Sequence, residues 1–261
     1  GVSVDVNGMV DEALRRGNSG FFVLNAAENL IGIERHVSVA TRIDYDRTAV
    51  NNFIAGVRRA YDRPAKDAAV TYSARSLGQT DGQIGIKVRS ARLRREIVAT
   101  FNDPDAPRRI KLPVRIKRPK VTRGELAGKY PTIILIDRGG FKLRLFKKLK
   151  LVKTYGIAVG QVGLETPAGL YTINDKQINP AWHVPNSAWA GDLAGKVIPG
   201  GAPNNPLVAR WLGVYDGVGI HGTSSTGSIG SAASHGCIRM VPSQVIDLYD
   251  RVPIGTPVYI G

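Results

Sequence analysis

Residues 220–240, IHGTSSTGSIGSAASHGCIRM, bring the only cysteine of the chain and two of its four histidines into one short segment. Apolar ends flank a Gly/Ser-rich centre, a pattern typical of two strands joined by a loop. His235, Cys237 and Arg239 alternate, so on an extended strand their side chains share one face. The segment therefore predicts strands that present a thiol beside imidazole and guanidinium groups.

This combination of side chains fits nucleophilic catalysis. A thiol attacks carbonyls as a thiolate, which requires a base such as an imidazole beside it. His221 reaches Cys237 from a different strand, and Gly236 allows close approach of the backbone to a substrate. The N–H groups of Gly236 and Cys237 could hold an oxyanion, and Arg239 could pair with a carboxylate.

Two other interpretations of the cysteine stay open at this point. It could be a buried structural residue, because free cysteines are often buried. It could also bind zinc, but zinc uses four protein ligands in structural sites and three in catalytic ones, and no acidic residue lies between positions 217 and 246. The ligand count therefore argues against a zinc site.

Outward from this segment, the second half of the chain reads as mostly β. Short apolar runs alternate with Gly/Pro-rich turns from residue 130 onward. The predicted strands cover residues 133–137, 142–146, 149–159, 169–173, 218–221 and 257–260, and a helix is predicted at 243–249.

Residues 174–205 are too long and irregular for a hairpin turn. We expect them to form a lid over Cys237, with Trp182 packed as an anchor and His183 in a structural role. The alternative is a static surface loop away from the thiol.

The first half mixes the two periodicities. Helices are predicted around residues 10–14 and at 49–61, and strands at 21–24, 37–43, 69–72, 84–88 and 109–116. Residues 119–128 lack apolar periodicity and read as a linker. The predicted organisation is an α+β domain at 1–118, a linker at 119–128 and a mostly β, sandwich-like domain at 129–261.

The charge of the chain points to anionic partners. The 261 residues carry a formal net charge of +15, which attracts polyanions in a salt-dependent way. Charge alone leaves nucleic acid, acidic membranes and anionic wall polymers open. Residues 138–153 hold seven basic and no acidic side chains, either as a solvated sheet face or as a landing surface for polyanions.

No apolar stretch is long enough to span a bilayer. The chain opens at Gly1-Val2 without an initiator methionine, so we expect that an N-terminal signal or membrane anchor is absent from it.

His221-Gly222-Thr223, followed by SHGCIRM at 234–240, resembles the signature of the L,D-transpeptidases, the YkuD-type cysteine enzymes of bacterial peptidoglycan. Five further segments match in the same order: TPAGLYTI at 166–173, NPAW at 179–182, PGG at 199–201, NPL at 205–207 and GTPV at 255–258.

The resemblance implies a YkuD-type catalytic domain with Cys237 as nucleophile, His221 as general base and acid, and His235 as a third catalytic residue. Because Gly222 has no side chain, a main-chain carbonyl is expected to orient His221. The residues implied to contact the substrate are Ser234, Gly236, Arg239, Gly222, Trp182 and Tyr171.

The resemblance also implies 3-3 cross-linking of peptidoglycan stem peptides through a thioester, with a donor tetrapeptide and an acceptor stem amine. Carbapenem β-lactams would acylate the same thiol. The resemblance implies no metal or other cofactor. The implied partners are peptidoglycan and anionic wall polymers, not nucleic acid. The implied location is extracytoplasmic, at the cell wall or in the periplasm. An L,D-carboxypeptidase and a non-catalytic wall-binding module are the alternatives.

The amino-terminal segments GVSVDVNGMVDEAL at 1–14 and RIKLPV at 109–114 resemble the peptidoglycan-binding domain that often precedes this catalytic domain. Such a domain would bind peptidoglycan or act as a spacer that holds the enzyme off the membrane.

Overall fold

The computed structural model describes residues 2–17, 36–39, 43–103 and 105–261. The chain forms two compact units, the first made of Gly1–Lys66 and Gln83–Pro119 and the second of Asp67–Gly82 and Lys120–Gly261. The strand predicted at 21–24 lies outside the described residues, as does part of the one predicted at 37–43.

In chain order, the described elements are β1 (Val2–Val4), α1 (Val6–Gly17), β2 (Ile43–Tyr45), α2 (Arg47–Tyr61), β3 (Ala69–Tyr72), β4 (Leu77–Thr80), β5 (Gly85–Val88), α3 (Ser90–Asn102), β6 (Val114–Lys117), α4 (Leu126–Lys129), β7 (Thr132–Asp137), β8 (Lys142–Lys147), β9 (Lys150–Gly156), β10 (Val159–Gly160), β11 (Gly169–Thr172), β12 (Asp175–Ile178), β13 (Trp182–His183), β14 (Val197–Ile198), β15 (Val208–Tyr215), β16 (Val218–Gly222), β17 (Ala232–Ser234), β18 (Ile238–Met240), α5 (Pro242–Arg251) and β19 (Pro257–Ile260). Short 3₁₀ turns lie at Arg123–Glu125, Ala188–Leu193 and Thr226–Ser228.

The first unit is a small α+β assembly, as predicted. Strands β1 and β2 pair, strands β5 and β6 pair, and helices α2 and α3 pack against the second pair. Asp46 caps α2 by accepting hydrogen bonds from the N–H groups of Thr48 and Ala49. Helix α3 was not predicted, because only Leu93 and Ile97 mark its buried face.

The second unit is a two-sheet sandwich, which confirms the predicted fold class. One sheet has the strand order β11-β19-β7-β8-β9, and the other has the order β12-β15-β16-β18. Buried side chains from both sheets and from α5 share one core, which includes Ile134, Leu145, Leu212, Ile220 and Leu248. Such a layered core fixes the strand ends that carry the site.

The outer face of the five-stranded sheet is also covered. Ala68 and Val70 from the β3–β4 hairpin pack with Ile133, Leu135 and Phe146 of that sheet. The domain boundaries therefore differ from the predicted ones, because residues 67–82 belong to the second unit. Residues within the predicted linker at 119–128 instead form helical turns, and Leu126 is completely buried. Strand β7 is apolar on both faces, so it needs cover on both.

The basic stretch at 138–153 is not one free face. Arg144 lies 3.3 Å from the Asp137 carboxylate, and the Lys147 ammonium donates to the Thr132 hydroxyl at 2.8 Å and to the Arg251 carbonyl. The prediction of a solvated or polyanion-binding face is thus wrong for Arg144 and Lys147. The reason is the cover on the outer face and the bulge between Leu145 and Phe146.

No helix within the described ranges is both long and apolar enough to cross a membrane.

Candidate active site

Cys237 lies in a tight turn between β17 and β18. Gly236 has φ +112°, a conformation that favours glycine. The buried Ser234 hydroxyl donates to the Cys237 carbonyl at 2.5 Å and accepts from the Gly236 N–H at 3.1 Å. Ser234 therefore acts within the protein to hold the shape of the turn.

A second hydroxyl supports the same turn from the other side. Thr166 is 1% exposed, and its Oγ1 donates to the Gly236 carbonyl at 2.8 Å and accepts from the Gly160 N–H at 2.9 Å. Thr166 appeared in the sequence only as part of a matching segment. Nothing local to it signals that it reaches a turn 70 residues away.

The hydrogen bonds of the turn limit where an oxyanion can bind. The Gly236 N–H is engaged by Ser234, so its predicted role as an oxyanion donor is wrong. The Cys237 N–H has no acceptor among the residues that the structure describes. It is therefore a main-chain donor that a substrate can use.

His221 is buried on β16, directly beside Arg239 of β18 in the parallel pairing. Its Nδ1 lies 2.8 Å from the Gly222 carbonyl, which confirms that a main-chain carbonyl orients the ring. With the proton on Nδ1, the Nε2 lone pair is available as a base. Gly222 must lack a side chain, because a Cβ would lie 2.3 Å from the Val208 carbonyl.

The pKa of His221 is lowered to about 4, mainly by burial and in part by the charge of Arg239, whereas the Gly222 and Pro206 carbonyls oppose the shift. Burial raises the pKa of the Cys237 thiol, and the Gly219 N–H and Arg239 oppose that rise. Both groups are therefore neutral at neutral pH. The thiol contacts the Gly217 carbonyl at 3.8 Å and, within the described ranges, makes no hydrogen bond to His221.

A cavity of about 450 Å³ holds Cys237, His221 and Arg239. All three tryptophans of the chain, Trp182, Trp189 and Trp211, line it. Among the residues that the structure describes, no acidic side chain lines the cavity and none forms an ion pair with Arg239. The cavity thus combines apolar walls with one uncompensated positive charge.

The segment 174–205 forms one wall of this cavity, which confirms its predicted place beside the thiol. Trp182 packs against a small core of Val184, Ala190 and Ile198, as expected of an anchor. His183 also faces the cavity.

The predicted catalytic residue His235 is exposed, and its ring stacks on Trp189 with centroids 4.2 Å apart. It makes no hydrogen bond to the thiol among the described residues. The structure thus places His235 in the cavity wall, as a contact of the 174–205 segment.

Two aromatic residues differ from the sequence-based expectations. Tyr171 does not line the cavity; its hydroxyl donates to the Ala168 carbonyl at 2.9 Å. The substrate contact of Tyr171 stays a prediction; the residue lies outside the cavity because β11 is an edge strand of the other sheet. Trp211 was missed, although it pairs with His221 across β15 and β16. The sequence did contain a signal for it: a two-residue hairpin turn at Asp216-Gly217 would pair His221 with the residue next to Trp211.

Comparison with known proteins agrees with this geometry. Residues 131–260 match the family model described as "L,D-transpeptidase catalytic domain", and residues 1–107 match the one described as "Putative peptidoglycan binding domain". The Bacillus subtilis protein "Putative L,D-transpeptidase YqjB" is 34% identical over 133 residues, covering 49% of this chain and 69% of that protein. The chain belongs to the L,D-transpeptidase family.

Other proteins with L,D-transpeptidase names match about half of the chain. "Putative L,D-transpeptidase YkuD" of Bacillus licheniformis is 39% identical, over 50% of this chain and 66% of that protein. "Probable L,D-transpeptidase YbiS" of Escherichia coli is 32% identical but is covered over only 43% of its length. The ertapenem-acylated catalytic domain of an Enterococcus faecium L,D-transpeptidase shares 26% identity and a TM-score of 0.41, over 51% of this chain and 98% of that one.

The segment matched to the L,D-transpeptidase catalytic domain contains every residue of the cavity. Within the described ranges, no group of three or more His, Cys, Asp or Glu side chains could hold a metal ion. The side chains with acid–base or nucleophilic chemistry in the cavity of this L,D-transpeptidase are Cys237, His221, His235 and His183.

Proposed function

We propose that this L,D-transpeptidase joins peptidoglycan stem peptides by 3-3 cross-links through a thioester on Cys237. The observation that carries the proposal is the pairing of a neutral thiol with a neutral, carbonyl-oriented imidazole in one cavity. A general base must be unprotonated before it takes a proton, and burial keeps His221 in that form.

In the acylation step, the Cys237 sulfur attacks the carbonyl that joins the third residue of a donor tetrapeptide to its terminal D-residue. Nε2 of His221 accepts the thiol proton, and the Cys237 N–H donates to the oxyanion that forms. The C–N bond then breaks, and the imidazolium returns the proton to the leaving amine. The products are a thioester on Cys237 and a free D-amino acid.

In the transfer step, the side-chain amine of the third residue of a neighbouring stem attacks the thioester. His221 accepts a proton from this amine and returns it to the sulfur as the C–S bond breaks. The product is an amide between two third residues, and the thiol is restored. The tryptophan-lined wall supports transfer over hydrolysis, because it limits the room for water around the thioester.

Arg239 is proposed to bind a carboxylate of the donor stem. It is an unpaired guanidinium in a cavity without acidic side chains, and a guanidinium can bind a carboxylate through two parallel hydrogen bonds. Binding would place the scissile carbonyl beside the thiol.

The same chemistry supports inhibition by carbapenems, whose strained β-lactam carbonyl would acylate Cys237. Since peptidoglycan lies outside the cytoplasmic membrane, we place the protein there as well. The peptidoglycan-binding match of residues 1–107 supports a role of the first unit in holding the enzyme at its substrate.

A product assay tests the proposal. The protein is incubated with a purified disaccharide-tetrapeptide, and products are identified by mass. We expect a dimer whose mass equals two monomers less one D-amino acid, and none with Cys237→Ser as the matched control. Release of the D-amino acid without dimer would instead make the protein an L,D-carboxypeptidase. If no stem peptide is turned over, the protein is instead a non-catalytic wall-binding module.

A further inference from the structure

A second cavity, of about 590 Å³, lies within the first unit. Its floor is backbone: Gly85 is buried, and a Cβ there would lie 2.5 Å from the Ala65 nitrogen. Residues 63–66 run beside β5, with Arg63 paired to Ile86 and Lys66 to Gln83. The result is a groove along a short three-stranded layer.

Exposed cations line this groove. Lys87 pairs directly with Arg115, and Gly85 pairs with Lys117, so these side chains share one face of the β5–β6 pair. Arg63 adds a fourth cation to the lining. Residues two apart on a strand are about 7 Å apart, which sets the spacing between Arg115 and Lys117.

These charges are only partly neutralised within the unit. None of the four cations makes an ion pair with any residue that the structure describes. Among the described residues of the groove only Asp62 is acidic, and it accepts from the Val88 N–H at 2.7 Å and from the Arg58 side chain at 3.1 Å. The charge of Lys87 also acts on this carboxylate, so one negative charge stands against four positive ones.

The Lys87–Arg115 pair is costly for folding alone. Like charges directly opposite each other on paired strands are destabilising, and both side chains are exposed. An anionic ligand between them would remove the repulsion. The exposed cations of the lining come from three stretches of the chain, which suits an extended ligand rather than a single enclosed anion.

We infer that this groove binds a linear polyanion, with negative charges repeating at about the 7 Å spacing of its cations. The charges of such a polymer are phosphodiesters or carboxylates, and both chemistries meet the same lysines and arginines. The site is separate from the cavity that holds Cys237 and does not depend on the proposed reaction.

The experiment measures binding of the full chain to inorganic polyphosphate and to poly-L-glutamate across a series of NaCl concentrations. The test variant is Lys87→Gln/Arg115→Gln/Lys117→Gln. The matched control, Arg59→Gln/Arg109→Gln/Lys111→Gln, removes the same charge from exposed positions outside the groove. Circular dichroism melting checks that both variants stay folded.

We expect the groove variant to bind at least tenfold more weakly and the control to change less than threefold. With about 0.7 counterions released per neutralised charge, the slope of log K against log salt should fall by about 2 in the groove variant. Tighter binding of polyphosphate would assign phosphate as the charged group of the ligand, and tighter binding of polyglutamate would assign carboxylate. Equal weakening in the two variants, or no binding of either polymer, would overturn the inference.

Discussion

Replacing Thr166 by valine tests how the nucleophile is positioned. The two side chains have nearly the same volume, so the change removes a hydroxyl without opening a cavity. In the native protein that hydroxyl joins the Gly236 carbonyl to the Gly160 N–H at 2.8 and 2.9 Å. After the change, both main-chain groups lose their partner.

The expected loss of stability follows from these two groups. The site is 1% exposed, so water does not replace the hydroxyl. Each buried group left without a partner costs about 1–3 kcal/mol, and two such groups together cost about 2–6 kcal/mol. At about 2–4 °C per kcal/mol for a unit of this size, the unfolding midpoint falls by roughly 4–24 °C.

The change should also slow acylation, because Gly236 precedes the nucleophile. A misplacement of about 1 Å can cost roughly 100-fold in rate, so we expect a fall of about 10- to 100-fold. The rate is measured by intact mass spectrometry with a carbapenem at 25 °C. Thr256→Val is the control: this threonine is also buried, but its hydroxyl donates only to the Pro253 carbonyl, remote in sequence from Cys237.

The control should lose less stability and keep its acylation rate. If Thr166→Val melts at the same temperature as Thr256→Val and acylates within threefold of the native protein, Thr166 does not hold the turn.

Three further outcomes follow from the same structure. His221→Gln should slow acylation by about 10²–10⁴-fold. Because the folded pKa of His221 is about 4, below its usual 6.5, the native protein should also lose more stability than this variant between pH 7 and pH 5. Parallel losses of stability in the two proteins would contradict a neutral buried ring. Trp189→Ala, which removes the stack on His235, should raise the ratio of hydrolysed to cross-linked stems, and an unchanged ratio would show that this wall does not limit water. Arg144→Glu should lower the unfolding midpoint by several degrees because it removes the contact with Asp137, whereas Lys148→Glu at an exposed position should not. Equal midpoints would show that the contact of Arg144 with Asp137 does not stabilise the fold.

Local chemistry in the sequence predicted the centre of the site. A lone thiol and two nearby histidines indicated nucleophilic chemistry, with a structural or zinc-binding cysteine left open. The family resemblance then predicted Cys237 as nucleophile, His221 as base and a main-chain carbonyl that orients His221. The loop at 174–205 was predicted for a similar reason, since its length and irregularity are local features. Strand periods likewise predicted β7, β8 and β19 closely.

Long-range contacts limited the rest. Thr166 acts on a turn 70 residues away, and the β3–β4 hairpin covers a sheet that begins 60 residues later in the chain because β7 is apolar on both faces. The hydrogen bond that engages the Gly236 N–H depends on how the turn closes, which alternation along a strand does not reveal. Tyr171 matched a family segment, but sheet order decides which side chains reach the cavity.

The central claim is that Cys237 is the nucleophile that forms the acyl-enzyme. The most direct test treats the native protein and Cys237→Ala with a carbapenem and compares their intact masses, followed by peptide mapping. We predict one adduct per native chain, located on the peptide that contains Cys237, and no adduct on the alanine variant. An adduct of equal yield on the variant, or a native protein that stays unmodified, would contradict the account.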